Sequence, residues 1–141
     1  MTTYLVDTDV ISETTKPLPR EDVIAWLAEQ PRIILSTVSI YELSRGIERV
    51  AAGRKRQFLE VWFSELLDGP IDPLPFDTEA AILAAQIESE ARRKGRAIDT
   101  RDLFILASAK ARGLHVATRN LAHFKNFGVR LYDPFSGREA Y

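Results

Sequence analysis

The chain has 141 residues, of which 45% are hydrophobic and 28% are charged. This length and balance fit one ordinary globular domain over residues 1–141, with enough apolar chain to form its own core. It contains no cysteine, which excludes disulfides, zinc–thiolate sites and thiol chemistry. The formal net charge of -1 excludes nucleic-acid binding by bulk charge, so any such contact must depend on local basic patches or on metal ions.

The amino-terminal residues lack the basic and long apolar segments of a secretion signal. No apolar run approaches the roughly 20 residues that a membrane-spanning helix needs. A chain without cysteine also suits a reducing compartment. We therefore expect a cytoplasmic protein that is not inserted in a membrane.

Short β-like runs alternate with longer helical patterns in the first half of the chain. Gly and Pro mark the breaks between them, and apolar residues at helical spacing mark the helices. The predicted elements are a strand at 4–6, a short helix at 10–12, a break at 16–19, a helix around 23–27, a strand at 33–35, a helix after Ser36 or Thr37 with the apolar stripe Ile40, Leu43, Ile47 and Val50, and a helix at 54–67.

The second half continues the alternation after two proline-containing turns within 69–76. Asp77 opens a long helix, and Gly95 suits the position just beyond its end. The remaining predicted elements are a helix at 100–112 closed by Gly113, a strand at 115–117, a short helix at 121–127, and a last strand at 129–132 that Asp133 and Pro134 end. Alternation of this kind predicts an α/β fold with a mostly parallel sheet and helices on both faces.

Several acidic residues fall where such a sheet gathers chemistry, beyond the carboxyl ends of its strands. Asp7 directly follows the first strand, and we interpret it as a functional carboxylate rather than only a turn or helix-capping residue. Asp9 shares this ambiguity, and for Asp9 we favour the cap. Glu42 lies one turn into its helix and off the apolar stripe. It is either a functional acid or one half of a surface pair with Arg45.

Asp102 is the most informative of these positions. It begins a helix that is apolar on every side, and a carboxylate in a buried helix must be paired, capping or bound to a metal ion. Asp99 can cap the same helix, which leaves Asp102 free to bind metal. Asn120, beyond the strand at 115–117, either caps the last helix or binds a metal-coordinated water through its carbonyl. His115 and the other histidine, His123, have no spacing partner for zinc and need no functional role.

Carboxylates gathered at one point repel one another unless a cation lies between them. Mg²⁺ and Mn²⁺ prefer oxygen ligands and keep several waters. No glycine-rich nucleotide loop is present, so the acids favour metal-assisted phosphodiester hydrolysis over nucleotide binding. Basic side chains could contact the phosphates, although most of them suit solvated helix surfaces: Arg45, Arg49, Arg54, Lys55, Arg56, Arg92, Arg93, Lys94, Arg96 and Arg101.

Four segments together resemble the PIN-domain ribonucleases, in order and spacing along nearly the whole chain. They are residues 5–13 (LVDTDVISE), 39–47 (SIYELSRGI), 102–109 (DLFILASA) and 118–120 (TRN) with Phe124. The Val-Ile-Ser-Glu run, the Trp26-Leu27 pair and the turn before Asp77 are similar to the VapC and FitB group of type II toxins.

The resemblance implies a three-layer α/β/α sandwich and an endoribonuclease that uses Mg²⁺ or Mn²⁺. It matches Asp7, Glu42 and Asp102 to the family's three main acids, with Asp7 and Asp102 as the foremost direct metal ligands. Asn120 stands at the fourth position, often an aspartate, and this departure weakens the case for a fully occupied second metal site. Asp9 stands where relatives commonly carry asparagine. The resemblance also implies an RNA substrate, a homodimer and a cognate antitoxin.

Two alternatives remain open from the sequence. A receiver-like signalling domain also places acids and Mg²⁺ at the carboxyl edge of a sheet, but it expects a lysine after its last strand, where this chain has Asp133 and Pro134. A catalytically silent PIN-like RNA-binding module is the second alternative, because Asn120 replaces an acid.

Overall fold

The computed structural model describes residues 2–141, which fold as strands alternating with helices, as predicted. The strands are Tyr4–Val6 (β1), Ile33–Ser36 (β2), Ile71–Leu74 (β3), His115–Ala117 (β4), Leu131–Tyr132 (β5) and Glu139–Ala140 (β6). The helices are Thr8–Ser12 (α1), Glu21–Glu29 (α2), Thr37–Glu48 (α3), Arg54–Asp68 (α4), Thr78–Arg93 (α5), Thr100–Arg112 (α6) and Leu121–Phe124 (α7). A single 3-10 turn, Glu13–Thr15, extends α1.

The six strands form one sheet in the order β3-β2-β1-β4-β5-β6. All neighbouring pairs are parallel except β5 and β6. Strand β1 lies in the centre, with Leu5 opposite Ile34 of β2 on one side and Val116 of β4 on the other. The carboxyl ends of β1, β2 and β4 therefore meet at one edge, where Asp7, Glu42 and Asn120 follow them along the chain.

Alternation along the strands builds a separate core on each face of the sheet. Leu5 and Val116 point into a cluster with α5, α6 and α7, while Val6 and Leu35 point into a second cluster with α1, α2 and α3. The predicted α/β/α sandwich is confirmed. No helix within residues 2–141 is long and apolar enough to cross a membrane.

Helix α6 is the buried helix that its sequence predicts, since Leu103 and the run 105–109 are almost fully buried. Gly113 ends it in the left-handed conformation, with a φ of 65°. The predicted stripe of α3 is shorter than expected. Leu43 and Ile47 are buried, but the helix ends at Glu48, so Val50 lies beyond it.

Strand β3 corrects the prediction of turns over 69–76. It pairs with β2 along its whole length, Ile71 opposite Ile33 and Leu74 opposite Ser36, although Pro73 lies within it. A proline has no N–H for a ladder, and it is therefore tolerated on an edge strand that pairs on one side only. Strand β3 is such an edge.

The carboxyl-terminal elements also differ from the prediction. Strand β5 is limited to Leu131–Tyr132, and α7 ends at Phe124 rather than at residue 127. Asp133 ends β5, but it also starts a turn that returns the chain as β6. Its carboxylate accepts hydrogen bonds from the Phe135 amide at 2.8 Å and the Ser136 hydroxyl at 2.7 Å, and its carbonyl accepts one from the Gly137 amide. A two-residue strand carries too little periodicity to be predicted.

Candidate active site at the carboxyl edge of the sheet

Asp7 lies where β1 meets α1 and is only 4% exposed. Its backbone amide continues the sheet by donating to the Ala117 carbonyl of β4 at 2.9 Å. Its Oδ1 accepts from the Thr8 amide at 2.8 Å, which caps α1, and its Oδ2 accepts from the Thr118 hydroxyl at 2.7 Å. Asp7 is therefore both the helix cap and a buried strand-end carboxylate, two roles that the sequence had set against each other.

Asp9 lies inside the first turn of α1, so the prediction that it caps the helix is wrong. Its Oδ2 accepts from the Arg119 amide at 3.2 Å and lies 3.4 Å from Nδ2 of Asn120. Its Oδ1 is buried and has no hydrogen-bond partner within residues 2–141. A buried acceptor without a donor is costly, so this oxygen is available to a cation.

Burial disfavours the charged forms of both Asp7 and Asp9. The pKa of Asp7 lies well above its ordinary value because the group is desolvated and the Asp9 charge is close, and Asp102 adds a smaller repulsion. Burial also raises the pKa of Asp9, against hydrogen bonds from the backbone amides of Arg119 and Val10 that lower it. A divalent cation would relieve both effects.

Glu42 is connected to Asp7 through Thr8. The Thr8 hydroxyl lies 2.9 Å from Oε1 of Glu42 and 2.8 Å from the Ser39 hydroxyl. Oε2 of Glu42 lies 3.8 Å from the guanidinium of Arg101. Within residues 2–141 no ion pair joins Glu42 to Arg45, so the surface pair that the sequence allowed is not formed. Glu42 instead turns towards the same edge as Asp7.

Asp102 occupies the first turn of α6 and is half-buried. Asp99 caps this helix as expected, since its carboxylate accepts from the Arg101 amide at 3.0 Å. Burial raises the pKa of Asp102, while the neighbouring His123 lowers it. Nδ1 of His123 lies 3.3 Å from Oδ2 of Asp102.

The sequence interpretation missed His123, Thr8 and Thr118. For His123 a signal was present, because it lies on the helix that follows the carboxyl end of β4, next to the site. The two threonines each follow a strand-end position and carry short hydroxyls, which sequence alone does not separate from ordinary turn residues. Asn120 occupies the cap position of α7 without making a side-chain cap bond.

The profile of the PIN domain matches residues 4–129. The chain belongs to the PIN-domain family. Toxin FitB of Neisseria gonorrhoeae is 37% identical to this PIN domain over 139 residues, which cover 93% of this chain and 97% of FitB. The VapC ribonuclease Y4jK of Sinorhizobium fredii is 33% identical over 139 residues, covering 93% and 96%. The crystal structure of FitAcB from Neisseria gonorrhoeae superposes with a TM-score of 0.85 at 35% identity, covering 95% of this chain and 99% of that one. The resemblance to VapC and FitB toxins is thus confirmed.

The predicted site residues of this PIN domain lie at one edge of the sheet but do not form a closed metal cage. Within residues 2–141, no three Asp, Glu, His or Cys side chains converge closely enough to hold an ion. The donor chemistry nevertheless fits Mg²⁺ or Mn²⁺, because Asp9 Oδ1 is a buried carboxylate oxygen without a donor and its charge lies close to that of Asp7. Such ions are commonly held by one or two carboxylates, with water filling the remaining positions.

Proposed function

We propose that this PIN domain is a divalent-metal-dependent endoribonuclease and the toxin of a toxin–antitoxin pair. The observation that carries the proposal is the buried Asp7 beside Asp9, both with raised pKa values, and the buried Oδ1 of Asp9 that has no donor within residues 2–141. The names of two relatives, one a toxin and one a ribonuclease, support the same reading.

Each residue of the candidate site has a separate role in this proposal. Asp7 and Asp102 would hold Mg²⁺ or Mn²⁺, the unpartnered Oδ1 of Asp9 would offer the ion a further oxygen, and Glu42 would be the third main acid of the site. A bound ion supplies Lewis-acid stabilisation of the phosphodiester and lowers the pKa of the attacking water. Thr118 and the Thr8 amide fix the two oxygens of Asp7. Hydrolysis forms one P–O bond from water and breaks one P–O ester bond of the RNA strand.

Asn120 enters this proposal as an orienting residue rather than a ligand. Its side-chain amide lies 3.4 Å from Oδ2 of Asp9, and an amide brings no negative charge to the site. The missing charge weakens the case for a fully occupied second metal site. The receiver-like alternative loses its basis with the family assignment. A silent RNA-binding module remains the second candidate, because Asn120 replaces an acid and no three acids converge within residues 2–141.

Single amide substitutions of the acids separate the two candidates. Asp7→Asn, Glu42→Gln and Asp102→Asn should each abolish cleavage of labelled RNA in Mg²⁺ or Mn²⁺ and should relieve growth inhibition on expression. Glu29→Gln, on the exposed surface of α2, is the matched control and should retain full activity. A wild type that binds RNA but does not cleave it in either metal would favour the silent module.

Deep sequencing of RNA ends after brief expression would identify the substrate and the cut site. New ends that appear with the wild type and vanish with Asp7→Asn belong to the enzyme. The same ends in both samples would contradict the proposed nuclease.

The proposed partners can be tested on the same preparations. Helix α4 leaves apolar side chains in solvent, with Phe58 56% and Val61 58% exposed. Phe58 and Val61 lie one helical turn apart, and contiguous exposed apolar surface commonly marks a contact surface. Light scattering coupled to size exclusion should give a homodimer mass. Co-expression with a candidate antitoxin should restore growth, whereas co-expression with an unrelated protein should not.

A further inference from the structure

The side chain of Arg96 ties down the carboxyl end of α7. Its guanidinium donates to the carbonyl of Lys125 at 2.6 Å, of Ala122 at 2.9 Å and of His123 at 3.2 Å. The same guanidinium lies 4.5 Å from the centre of the Phe127 ring. A cation at the carbonyl end of a helix satisfies free acceptors and opposes the helix dipole. The side chain of Arg96 is thus committed to α7 and is not a free phosphate contact.

The backbone of Arg96 is fixed as firmly as its side chain. Helix α5 ends in a Schellman motif, in which the Gly95 amide donates to the Arg92 carbonyl at 3.0 Å and the Arg96 amide to the Ala91 carbonyl at 2.8 Å. Gly95 has a φ of 68°, a left-handed conformation that side chains other than glycine adopt with strain. The end of α5 therefore fixes the position of the Arg96 backbone, from which the side chain extends to α7.

Helix α7 cannot hold its own position. It has four residues, Leu121–Phe124, and a single turn is unstable without tertiary contacts. Its cap residue, Asn120, makes no side-chain cap bond. The ring of Phe124 is fully buried in the core and anchors α7 to it. The contacts of Arg96 fix the end that Phe124 alone leaves free to pivot.

The side chains of Asn120 and His123 face the acids. Asn120 presents its side-chain amide to Asp9 at 3.4 Å, and His123 presents Nδ1 to Asp102 at 3.3 Å. A small rotation of α7 about Phe124 would change both distances. Groups that orient carboxylate ligands change metal affinity or activity when they move.

We propose that Arg96 is a positioning residue of the active site, which fixes α7 so that Asn120 and His123 orient Asp9 and Asp102. This inference rests on the proposed function. Arg96 itself touches neither substrate nor ion. Its effect passes through a series of contacts: Arg96 binds the carbonyls of α7, and the side chains of Asn120 and His123 contact the acids.

The test compares Arg96→Gln and Arg96→Lys with a pair of matched glycine variants. Gly95→Ala strains the turn that fixes Arg96. Gly113→Ala strains the same motif at the end of α6, where the Gly113 amide donates to Lys110 and the Leu114 amide to Ala109. Gly113 has a φ of 65°, and an added Cβ meets no atom within 4 Å at either glycine. Gly113→Ala therefore controls for backbone strain at a distance from the site.

Three measurements are made on the full chain: kcat and KM for RNA cleavage, the dissociation constant for Mn²⁺, and hydrogen exchange of the amides of His123 and Lys125. Arg96→Gln and Gly95→Ala should weaken Mn²⁺ binding or lower kcat by about 10- to 100-fold, with KM for RNA nearly unchanged. Exchange of the two α7 amides should accelerate about tenfold, because charge-assisted bonds are lost. Arg96→Lys should recover part of each effect, and Gly113→Ala should match the wild type.

Unchanged exchange in Arg96→Gln would overturn the inference, since α7 would then be held without Arg96. So would faster exchange with unchanged kcat and Mn²⁺ affinity, or an equal loss in Gly113→Ala. If the wild type binds Mn²⁺ but cleaves no RNA, the proposed function fails alone, and Mn²⁺ affinity together with exchange decides the inference. If the wild type does neither, both fail.

Discussion

The hydroxyl of Thr118 donates a 2.7 Å hydrogen bond to Oδ2 of Asp7, across the junction of β4 and β1. The hydroxyl oxygen of Thr118 also accepts a hydrogen bond from the backbone amide of Asn120 at 3.0 Å. Thr118 has no exposed surface, so water cannot replace it in either bond. One buried hydroxyl therefore connects the central carboxylate to the segment that leads into α7.

Replacing Thr118 by valine should lower the free energy of unfolding by about 1–3 kcal/mol, because a buried carboxylate loses its donor while the shape of the side chain is kept. Metal-dependent RNA cleavage should fall with it, since Oδ2 of Asp7 is no longer held. Urea unfolding and cleavage rates measure the two effects.

Thr118→Ser is the matched control for this change. It keeps the hydroxyl and loses only a methyl group, so it should cost less stability than valine and retain most of the activity. Equal losses in the serine and valine variants would show that packing, rather than the hydrogen bond, explains the role of Thr118.

Without a metal ion, Asp7 should destabilise the fold as the pH rises. Burial and the Asp9 charge hold the pKa of Asp7 above its unfolded value of about 3.9. The folded state then binds more protons than the unfolded state between these two pKa values, so stability falls as the pH rises through that window. The melting temperature of the wild type minus that of Asp7→Asn, both in EDTA, should therefore decrease from about pH 4 towards neutral pH, because this difference isolates Asp7 from carboxylates such as Glu13 whose pKa is lowered.

Asp7→Asn removes this charge and gives the control. In EDTA at neutral pH it should melt at a higher temperature than the wild type, although it cannot cleave RNA. Mg²⁺ should raise the melting temperature of the wild type and leave that of Asp7→Asn nearly unchanged. A variant less stable than the wild type under these conditions would contradict the assignment of repulsion at Asp7.

The layer order and most elements could be predicted because their signals are local. The buried helix α6, its closing Gly113, the Asp77 cap of α5 and the strand β4 each depend on residues adjacent in sequence. Strand β3 could not be predicted in this way. Pro73 indicates a turn, and only the position of β3 at the edge of the finished sheet makes a proline acceptable there.

The residues of the candidate site also differ in whether a local sequence signal indicates them. Asp7 and Asp102 could be selected because each combines an acid with a local pattern, a strand end or an apolar helix. The bonds that join Asp9 to Arg119 and Asp102 to His123 span 110 and 21 residues. Such partners are determined by the packing of α1 and α7, and no spacing in the sequence indicates them.

His123 should support Asp102 through Nδ1. His123→Phe keeps a ring on α7 but removes the polar contact at 3.3 Å, and Mn²⁺ affinity or kcat should fall by about 10- to 100-fold. His123→Asn places a side-chain amide near the position of Nδ1 and should recover much of the loss. Metal titration and RNA cleavage report both variants, and equal values for phenylalanine and wild type would exclude a role for the imidazole.

Glu13 should support the fold only while it is charged. Its side chain is 3% exposed, its Oε1 pairs with Nζ of Lys16 at 2.8 Å, and its Oε2 accepts from the Arg20 amide at 2.9 Å. The bond from Lys16 and then the Arg20 amide lower the pKa of Glu13 in the folded state. The unfolded chain therefore binds the proton more readily, so this contribution is complete above the unfolded pKa of about 4.3 and is lost as the pH falls through the lowered folded pKa.

Glu13→Gln keeps the acceptor for the Arg20 amide and removes the charge, so it should lose this acid dependence. Urea unfolding from neutral pH down to about pH 3 should show the variant less stable than the wild type at neutral pH, with the two curves converging in acid. Glu29→Gln, exposed on α2, should follow the wild type throughout. If the free energies of unfolding of Glu13→Gln and the wild type differed by the same amount at every pH, the charge of Glu13 would contribute nothing to stability. Its role would then rest on packing and hydrogen bonding.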